Sequence, residues 1–311
     1  MPVFSIRHIT KYEYDRLVKE SMNEIRVFPV ISQKQEVLDH EVQITGNPDL
    51  QFFIDYWGNK AANFNLYPPH KELVIYSRLL VKTTNETELD INFISSFAEL
   101  VYDTRDEFRM LELARPDWIE STIAIMGIVN LVRSNDESVA ITIKNCSDYI
   151  FNHFKYVKGI TSVETTIDEI LEKRAGVCQD FAHLMLQVLR TMQIPCRYVS
   201  GYICPIERGL RGEGATHAWV EAWIPGSGWA GIDPTNNVWV INNHVKLATG
   251  RNFSDCSPVK GTFKGPANQL LTVFVSVDYE DGSGFNEWTE VDLSEGKTRP
   301  DSPHLSPAAQ Q

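Results

Sequence analysis

Cys178 is the first residue whose surroundings suggest chemistry, because it lies between a glycine turn and a strongly periodic segment in GVCQDFAHLMLQVL. At the N-terminus of a helix, unpaired backbone N–H groups and the positive end of the helix dipole stabilise a thiolate. A lone cysteine is more often a small buried hydrophobic residue. Cys178 precedes the apolar positions of the segment, so a nucleophile and a core residue are both open interpretations.

His217 is the candidate base, within the predicted strand THAWVEAW. Side chains alternate along a strand, so His217, Trp219 and Glu221 share one face. Ala218 and Val220 face the other way, and such small apolar residues are typical of a core face. We therefore expect His217 to point toward a cleft or solvent. A surface role without chemistry is the alternative.

Asp233 is the candidate orienting carboxylate, at the end of a predicted hairpin around PGSG. A carboxylate that accepts from one histidine nitrogen sets the tautomer and the orientation of the ring. If Ile224 pairs with Trp229 across a four-residue loop, paired numbers sum to 453 and Asp233 faces away from His217. A working triad needs an even sum. We therefore predict an odd-length loop or a β-bulge between residues 224 and 232.

The helix after Cys178 is the element that must position the sulfur. Apolar residues recur at i, i+3, i+4, i+7, i+8 and i+11, which predicts one buried helical face ending before Pro195. Those residues are Phe181, Leu184, Met185, Val188, Leu189 and Met192. Two earlier segments, ESTIAIMGIVNLVRS and ESVAITIKNCSDYIFNHFKYV, also have helical periodicity. In TTIDEILEKRAG, the spacing of Thr166 and Glu169 predicts a capping box.

Three regions follow from the change in pattern along the chain. Residues 1–100 are rich in alternating strand-like segments, which predicts an antiparallel β domain of sandwich or similar layered form. Residues 101–285 run from helices to the cysteine helix and then to strands, so the fold class is α+β. Residues 286–311 are rich in proline and serine, and we expect a disordered tail. The charged, glycine-rich loop 205–215 is expected to be mobile and exposed.

Composition excludes several functional classes. The 311 residues have a formal charge of −12, which argues against nucleic acid or an anionic membrane as partner. We find neither a signal peptide nor an apolar run of transmembrane length, and expect a cytoplasmic protein. Its five cysteines include no CxxC pair, so we expect free thiols and no zinc site. We predict no cofactor and no metal.

Several motifs together resemble the transglutaminase-like superfamily of cysteine enzymes. The matching stretches of the core are GVCQDFAHLM, PCRYVSGY, THAWVEAWIPGSGW and GIDPTNN. Near the start of the chain, YEYD, NEIRVFP, DYWGNKAANF and HKELVIYS are similar to the β-rich N-terminal region of a bacterial subfamily. The resemblance covers most of residues 1–280. It implies a papain-like α+β core with Cys178 as nucleophile, His217 as general base and acid, and Asp233 as orienting residue.

Other site residues are less specific. The backbone N–H of Cys178 is one expected oxyanion donor, and Gln179 is a candidate for the second only because it is adjacent. Asp180 is expected to support the helix N-terminus. Tyr202 and Trp219 are candidates for lining the acyl cleft, and a packing role is the alternative for both.

The resemblance leaves the reaction open among three alternatives. Hydrolysis of an amide or peptide bond through a thioester is the interpretation that we favour. Its grounds are that the chain lacks the further C-terminal domains of animal transglutaminases and has no acidic loop with calcium-site spacing. Acyl transfer to an amine and an inactive binding module are the other two. By analogy with related bacterial proteins, a modified peptide is a candidate substrate and a peptide-ligating enzyme system a candidate partner.

Overall fold

A computed structural model describes most of the chain, and the following account is confined to those residues. They are 2–84, 89–135, 138–204, 211, 216–279, 284–292 and 305–306. Most of the predicted mobile loop 205–215 therefore lies outside the described residues.

The N-terminal strands form as the alternating sequence predicts. Along the first strand, the even-numbered residues from Phe4 to Tyr14 are buried, while the residues between them are partly or fully exposed. One strand was not anticipated, Lys60–Leu66, whose asparagines and alanines favour strand structure weakly. The strands are β1 (Val3–Val18), β2 (Glu20–Ile25), β3 (Gln35–Ile44), β4 (Gln51–Ile54), β5 (Lys60–Leu66) and β6 (His70–Thr83).

The helical part follows these strands. The seven helices of the described residues are α1 (Phe97–Thr104), α2 (Phe108–Ala114), α3 (Thr122–Val132), α4 (Val139–His153), α5 (Ile167–Lys173), α6 (Cys178–Thr191) and α7 (Phe253–Cys256). The predicted capping box of α5 is confirmed, because the Thr166 hydroxyl accepts from the backbone N–H of Glu169, whose carboxylate accepts from the Thr166 N–H. The short α1 and α2 were not predicted.

The remaining strands form a short two-stranded parallel sheet, the sheet beneath α6 and the rest of the β domain. They are β7 (Lys155–Tyr156), β8 (Ala175–Gly176), β9 (Cys196–Ile203), β10 (Thr216–Ile224), β11 (Gly228–Asp233), β12 (Val238–Trp239), β13 (His244–Gly250), β14 (Val259–Lys264), β15 (Gln269–Tyr279), β16 (Gly284–Asp292) and β17 (Leu305–Ser306). The core sheet has the order β12-β11-β10-β9-β13, and neighbouring strands are antiparallel.

Helix α6 is the centre of the helical core. Its predicted apolar face is buried throughout and packs against β9 and β10. Polar residues on its other sides are buried as well, because α2, α3, α4 and α5 cover them. Arg190, for example, donates to the carbonyl oxygens of Leu113, Cys196 and Arg251. These bonds satisfy the buried guanidinium and tie three segments to the helix.

The β domain consists of two five-stranded sheets, in the orders β16-β15-β1-β6-β3 and β17-β14-β2-β5-β4. A shared hydrophobic core joins the sheets, with Ile6 and Leu73 from the first and Ile25 and Phe64 from the second. This arrangement agrees with the sandwich-like α+β fold that we predicted.

The positions of strands β14 and β15 differ from the division into three regions that the sequence predicted. They lie within residues 101–285, yet they pair with β2 and β1 of the N-terminal region. Strand β16 similarly occupies residues that we had expected to begin a disordered tail. Pairing between residues more than 200 positions apart leaves no local signal in the sequence. The domain boundaries themselves remain a prediction.

Within the described residues, no helix combines the length and the apolar character needed to cross a lipid bilayer.

Candidate active site

Cys178 is the first residue of α6, as predicted, and its side chain is buried. Asp180 holds the start of the helix, because its Oδ2 accepts from the backbone N–H of Val177 at 2.8 Å and from the Thr161 hydroxyl at 2.6 Å. This is the supporting position expected for Asp180. The carboxylate satisfies an N–H that would otherwise be unpaired and fixes the direction from which the chain enters the helix.

Gly176 is needed before the helix for a reason other than backbone shape. It lies in β8, paired with Tyr156, and is not among the glycines with positive φ. A Cβ at this position would lie 2.6 Å from Oδ2 of Asp180. The absent side chain thus makes room for the carboxylate that caps α6.

The register between β10 and β11 confirms the geometric condition for a triad. Val220 pairs with Ile232 and Ile224 pairs with Gly228, so paired numbers sum to 452. The hairpin loop therefore contains three residues, 225–227, which is the odd length that we predicted. Asp233 and His217 consequently share one face.

The histidine and the aspartate meet directly. His217 Nε2 lies 2.8 Å from Oδ2 of Asp233, and both side chains are fully buried. An ionised carboxylate only accepts hydrogen bonds, so Nε2 carries the proton of this bond. The other ring nitrogen, Nδ1, is buried and is not engaged by Asp233. Nδ1 is therefore the nitrogen available for proton transfer at Cys178.

Opposite charges stabilise each other within the pair. Burial lowers the pKa of His217, but the Asp233 carboxylate and the Cys178 sulfur outweigh it and raise the pKa to about 10. For Asp233, burial raises the pKa, while His217 and His244 outweigh it and bring it well below the usual range. The site therefore favours an imidazolium beside a carboxylate at neutral pH, with the Cys178 sulfur in contact with the imidazolium.

Several donors besides His217 hold Asp233 in place. Its Oδ1 accepts from the backbone N–H of Thr235 at 2.9 Å, and its Oδ2 accepts from the Asn236 amide at 2.7 Å. The same amide group donates to the carbonyl of Arg211, the described residue within the loop 205–215. Sequence reasoning missed Asn236, although DPTNN at a strand end is a common turn pattern in which such bonds form.

His244 was also missed, because it lies on a separate strand, β13, and in no recognisable motif. Its Nε2 lies 3.4 Å from the same Oδ2 of Asp233, and burial lowers its pKa. The ring packs edge-on against Trp219 with centroids 5.1 Å apart. His244 is thus a neutral hydrogen-bond donor to Asp233.

The same three side chains are a candidate metal cluster. Ligand atoms of His217, Asp233 and His244 lie within 4.8 Å of one another. Two imidazoles and a carboxylate are common ligands of divalent transition metals. However, hydrogen bonds already account for the contacts of both nitrogens with Asp233, and a metal would replace the His217–Asp233 bond. The expectation of a metal-free site remains a prediction.

The solvent-exposed position that was one of the two expectations for His217 is wrong. Its side chain has no exposed surface, and Trp219 and Glu221 on the same face are also buried. Residues 32–35 and 89–91, distant in sequence, line a partly enclosed cavity together with Trp219 and Glu221 of this face. Alternation identified the face correctly, but it could not show that other parts of the chain cover it.

The other candidate site residues lie in three different surroundings. Trp219 stacks near His217, with centroids 6.4 Å apart and planes at 27°. Gln179 is buried at the second position of α6. Tyr202 packs in the core of the β domain, where its hydroxyl lies 2.8 Å from His8 Nδ1. The position of Tyr202 supports the packing alternative, and the oxyanion role of Gln179 stays a prediction.

Replacing Gly201 with alanine is expected to unfold or strongly destabilise this sheet. Gly201 is opposite His217, and a Cβ there would lie 2.1 Å from the Val245 carbonyl oxygen and 2.6 Å from Cη2 of Trp219. Overpacking against a backbone atom that cannot move freely costs about 3 kcal/mol or more of unfolding free energy. Urea denaturation followed by circular dichroism measures this loss of unfolding free energy.

Gly127→Ala is a control for that experiment, because we expect it to change stability in the opposite direction. Gly127 lies inside α3, and a Cβ at this position would have no neighbouring atom of the described residues within 4 Å. Gly127→Ala should stabilise the protein by about 0.5–1 kcal/mol, because alanine is the better helix former. Equal stability of Gly201→Ala and the wild type would show that the contact between Gly201 and Trp219 is loose.

Comparisons with known proteins agree with this geometry. Residues 128–234 match the model described as the transglutaminase-like superfamily, and residues 4–82 match the bacterial transglutaminase-like N-terminal region. An uncharacterized protein of Mycobacterium leprae is 33% identical over 277 residues, covering 87% of this chain and 96% of that protein. A protein-glutamine gamma-glutamyltransferase of Pseudomonas aeruginosa is 35% identical over 97 residues, 28% of this chain and 14% of that protein.

A solved structure shows the same fold over nearly the whole chain. It is a protein from Cytophaga hutchinsonii, described as a candidate cysteine protease, with a TM-score of 0.67 and 22% identity. The match covers 97% of this chain and 93% of that one. The similarity therefore includes the β domain as well as the sheet and helix that hold Cys178, His217 and Asp233.

Proposed function

The chain belongs to the transglutaminase-like superfamily, and from that premise we propose that it hydrolyses an amide or peptide bond with Cys178, His217 and Asp233. The observation that carries this proposal is the order of contacts. The Cys178 sulfur interacts with His217, and His217 donates to Asp233 at 2.8 Å. This is the nucleophile, base and orienting group of a cysteine hydrolase.

In the proposed first step, the Cys178 thiolate attacks the carbonyl carbon and forms a carbon–sulfur bond. The electron pair of the carbonyl moves to oxygen, and the resulting oxyanion accepts from the backbone N–H of Cys178 at the start of α6. As the oxyanion collapses, the carbon–nitrogen bond breaks. Nδ1 of the His217 imidazolium gives its proton to the departing amine, leaving a thioester.

In the proposed second step, water attacks the thioester. Nδ1 of His217 takes a proton from the water as the carbon–oxygen bond forms. The carbon–sulfur bond then breaks and releases a carboxylic acid and the Cys178 thiolate beside the imidazolium. Asp233 keeps the proton on Nε2 throughout, so Nδ1 is the nitrogen that exchanges protons in both steps.

Acyl transfer to an amine is the second candidate. Its first step is the same, and an amine replaces water in the second. The relative from Pseudomonas aeruginosa favours it, because that protein is named a protein-glutamine gamma-glutamyltransferase. It matches only 28% of this chain, however, and the acyl acceptor depends on access to the thioester, which differs among enzymes with one nucleophile.

The decisive experiment offers water and an amine to the same acyl-enzyme. The protein is incubated with a library of acyl-glutamine and peptide amides in water enriched in oxygen-18, with and without cadaverine. Hydrolysis predicts carboxylate products that carry one oxygen-18 atom, at a rate that cadaverine hardly changes. Cadaverine adducts as the main product would overturn hydrolysis in favour of transfer.

The inactive-module alternative has its own test in the same reactions. The acyl-enzyme is a mass increase on Cys178, and mass spectrometry distinguishes this cysteine from the other four. Burial raises the pKa of Cys146, Cys196, Cys204 and Cys256, so these thiols should remain unmodified. If no substrate acylates Cys178, and iodoacetamide alkylates it no faster than the others, the binding-module interpretation replaces catalysis.

A further inference from the structure

The partly enclosed cavity beside Trp219 and Glu221 lies next to the candidate active site. It has a volume of about 570 Å³ and is bounded by the core sheet on one side and by residues 32–35 and 89–91 on the other. Cys178, His217 and Asp233 are not among its lining residues. This volume is in the range of small-molecule sites. The cavity is therefore separate from the place where the proposed chemistry occurs.

Three charged side chains form one wall of this cavity. Nη2 of Arg197 lies 2.6 Å from Oε2 of Glu221, and Nζ of Lys246 contacts the other oxygen. Burial raises the pKa of Glu221, but Lys246 and Arg197 outweigh it and lower the pKa to about 2. Glu221 is therefore ionised at neutral pH.

The charges of this wall do not balance. One carboxylate faces two cations, which leaves an excess of one positive charge. The Glu221 side chain is only 8% exposed, whereas Arg197 and Lys246 are 24% and 25% exposed. Lys34 and Asp90 line another part of the cavity, and their charges offset each other. In a protein of net charge −12, this is a local positive potential in a partly enclosed space, where fields act strongly.

Aromatic groups form the adjoining walls. The Arg197 guanidinium stacks on Trp229 at 4.3 Å from the ring centroid. Trp219 is fully buried, and its Nε1 has no hydrogen-bond partner among the described residues. A buried indole N–H without an acceptor is costly, and Trp219 is among the residues that line the cavity. This observation is independent of the charges.

From these walls we propose that the cavity binds a small organic anion that carries a carboxylate. The carboxylate would lie against Arg197 and Lys246, and the carbon skeleton of the ligand would contact the partly exposed ring of Trp229. The excess positive charge selects the sign of the ligand, and the aromatic surface favours an organic anion over a hydrated inorganic one. The proposal does not depend on the proposed hydrolysis.

The ligand would also lie next to residues that hold the triad in place. His244 lines the cavity and contacts Asp233, while Trp219 lines it and packs against both His217 and His244. An occupant of the cavity would thus touch the residues behind the imidazole and not the sulfur. This places the anion at a second site, distinct from that of the acyl substrate.

Isothermal titration calorimetry with succinate tests the proposal, with succinamide as an uncharged probe of similar shape. Succinate should bind saturably, with a Kd on the order of 1 mM or tighter, and succinamide should give no saturable heat. The Cys178→Ala protein should bind succinate as the wild type does, which separates this site from the nucleophile. Equal binding of the two probes, or no binding of succinate, would overturn the proposal.

Three variants locate the bound anion. Lys246→Met should weaken succinate binding at least about tenfold, since it removes a direct cationic partner. Glu221→Gln should strengthen binding about fivefold or more, because it removes the carboxylate that competes for both cations. Lys264→Met, on the exposed surface of β14, is the matched control and should bind as the wild type does.

The two cavity variants are expected to change the affinity for succinate in opposite directions. This difference distinguishes a change in recognition from damage to the fold. A structural defect would weaken binding in both cavity variants, and circular dichroism of each variant shows whether it is folded. A gain of affinity in Glu221→Gln cannot arise from unfolding. Folded Lys246→Met protein with wild-type affinity, or a loss of affinity in folded Glu221→Gln, would show that succinate binds elsewhere.

Discussion

The Cys178→Ala protein is expected to keep its fold and to lose at least about a thousandfold in kcat for any amide that the wild type hydrolyses. The proposed thioester requires a sulfur nucleophile, and the imidazolium of His217 has no other thiolate partner in this mechanism. Alanine is a good helix former, so α6 should begin as before. Steady-state kinetics with purified protein measures the loss, and mass spectrometry should find no acyl adduct.

Cys196→Ala and Cys204→Ala are the matched controls, since both cysteines are fully buried as Cys178 nearly is. Each belongs to a hydrophobic core, Cys196 with α6 and Cys204 with the β domain. Both variants should lose stability, by about 1–2 kcal/mol, through the small cavity that the missing sulfur leaves. Their kcat should stay within a fewfold of the wild type. Equal loss of activity in all three folded variants would refute a single nucleophile.

The Asp233→Asn protein is expected to lose about a thousandfold to ten-thousandfold in kcat. An amide can present its N–H to Nε2 of His217, which forces Nε2 to accept and moves the ring proton to Nδ1. A neutral ring in that tautomer cannot take a proton at Nδ1. Without the carboxylate, burial also lowers the pKa of His217 from about 10. Kinetics measures the first effect, and nuclear magnetic resonance titration of labelled histidine measures the second.

Stability against pH gives a second readout for this variant. His217 has a raised pKa, so its stabilisation is present below its unfolded value of 6.5 and disappears as pH rises through about 10. Asp233 has a lowered pKa, so its stabilisation is present above 3.8 and disappears at more acidic pH. The wild type should therefore exceed Asp233→Asn in stability most clearly between about pH 4 and pH 6.5, and the difference should shrink as pH rises from 6.5 to about 10.

Asp55→Asn is the matched control for this substitution. Asp55 is a buried carboxylate that accepts from Nε of Arg26 at 2.9 Å in the β domain, with no contact to the candidate site. Breaking this pair should lower stability by about 1–3 kcal/mol, because Arg26 keeps its ion pair with Glu24, while kcat of the folded protein stays near that of the wild type. If Asp233→Asn also keeps kcat within about tenfold, Asp233 is a structural residue.

The local parts of the site could be predicted from the sequence. Helix α6 and its buried face follow from apolar spacing, because one side of a helix must pack on a core. Parity set a condition for the triad, an odd-length loop or a β-bulge, because successive side chains of a strand face opposite ways. The three-residue loop 225–227 meets that condition. Both deductions involve residues close together in the chain. Periodicity and turn length contain the necessary information at that range.

The groups around the triad could not be predicted in the same way. His244 reaches Asp233 only because β13 pairs with the far edge of β9. Residues 32–35 and 89–91, more than 120 positions before His217, line the cavity beside Trp219 and Glu221. No repeated spacing connects such segments. Their meeting is decided by the packing of the β domain against the core sheet.

The amino-acid sequence by itself therefore determined the α+β fold class, the cysteine helix and the shared face of His217 and Asp233. These features depend on periodicity and register, which are properties of neighbouring residues. Only the tertiary structure decided that β14 and β15 return to the N-terminal sheets, that Asp233 has several further donors, and that a charged cavity lies behind Trp219. Those features require contacts between distant segments, and such contacts form only when the whole chain packs.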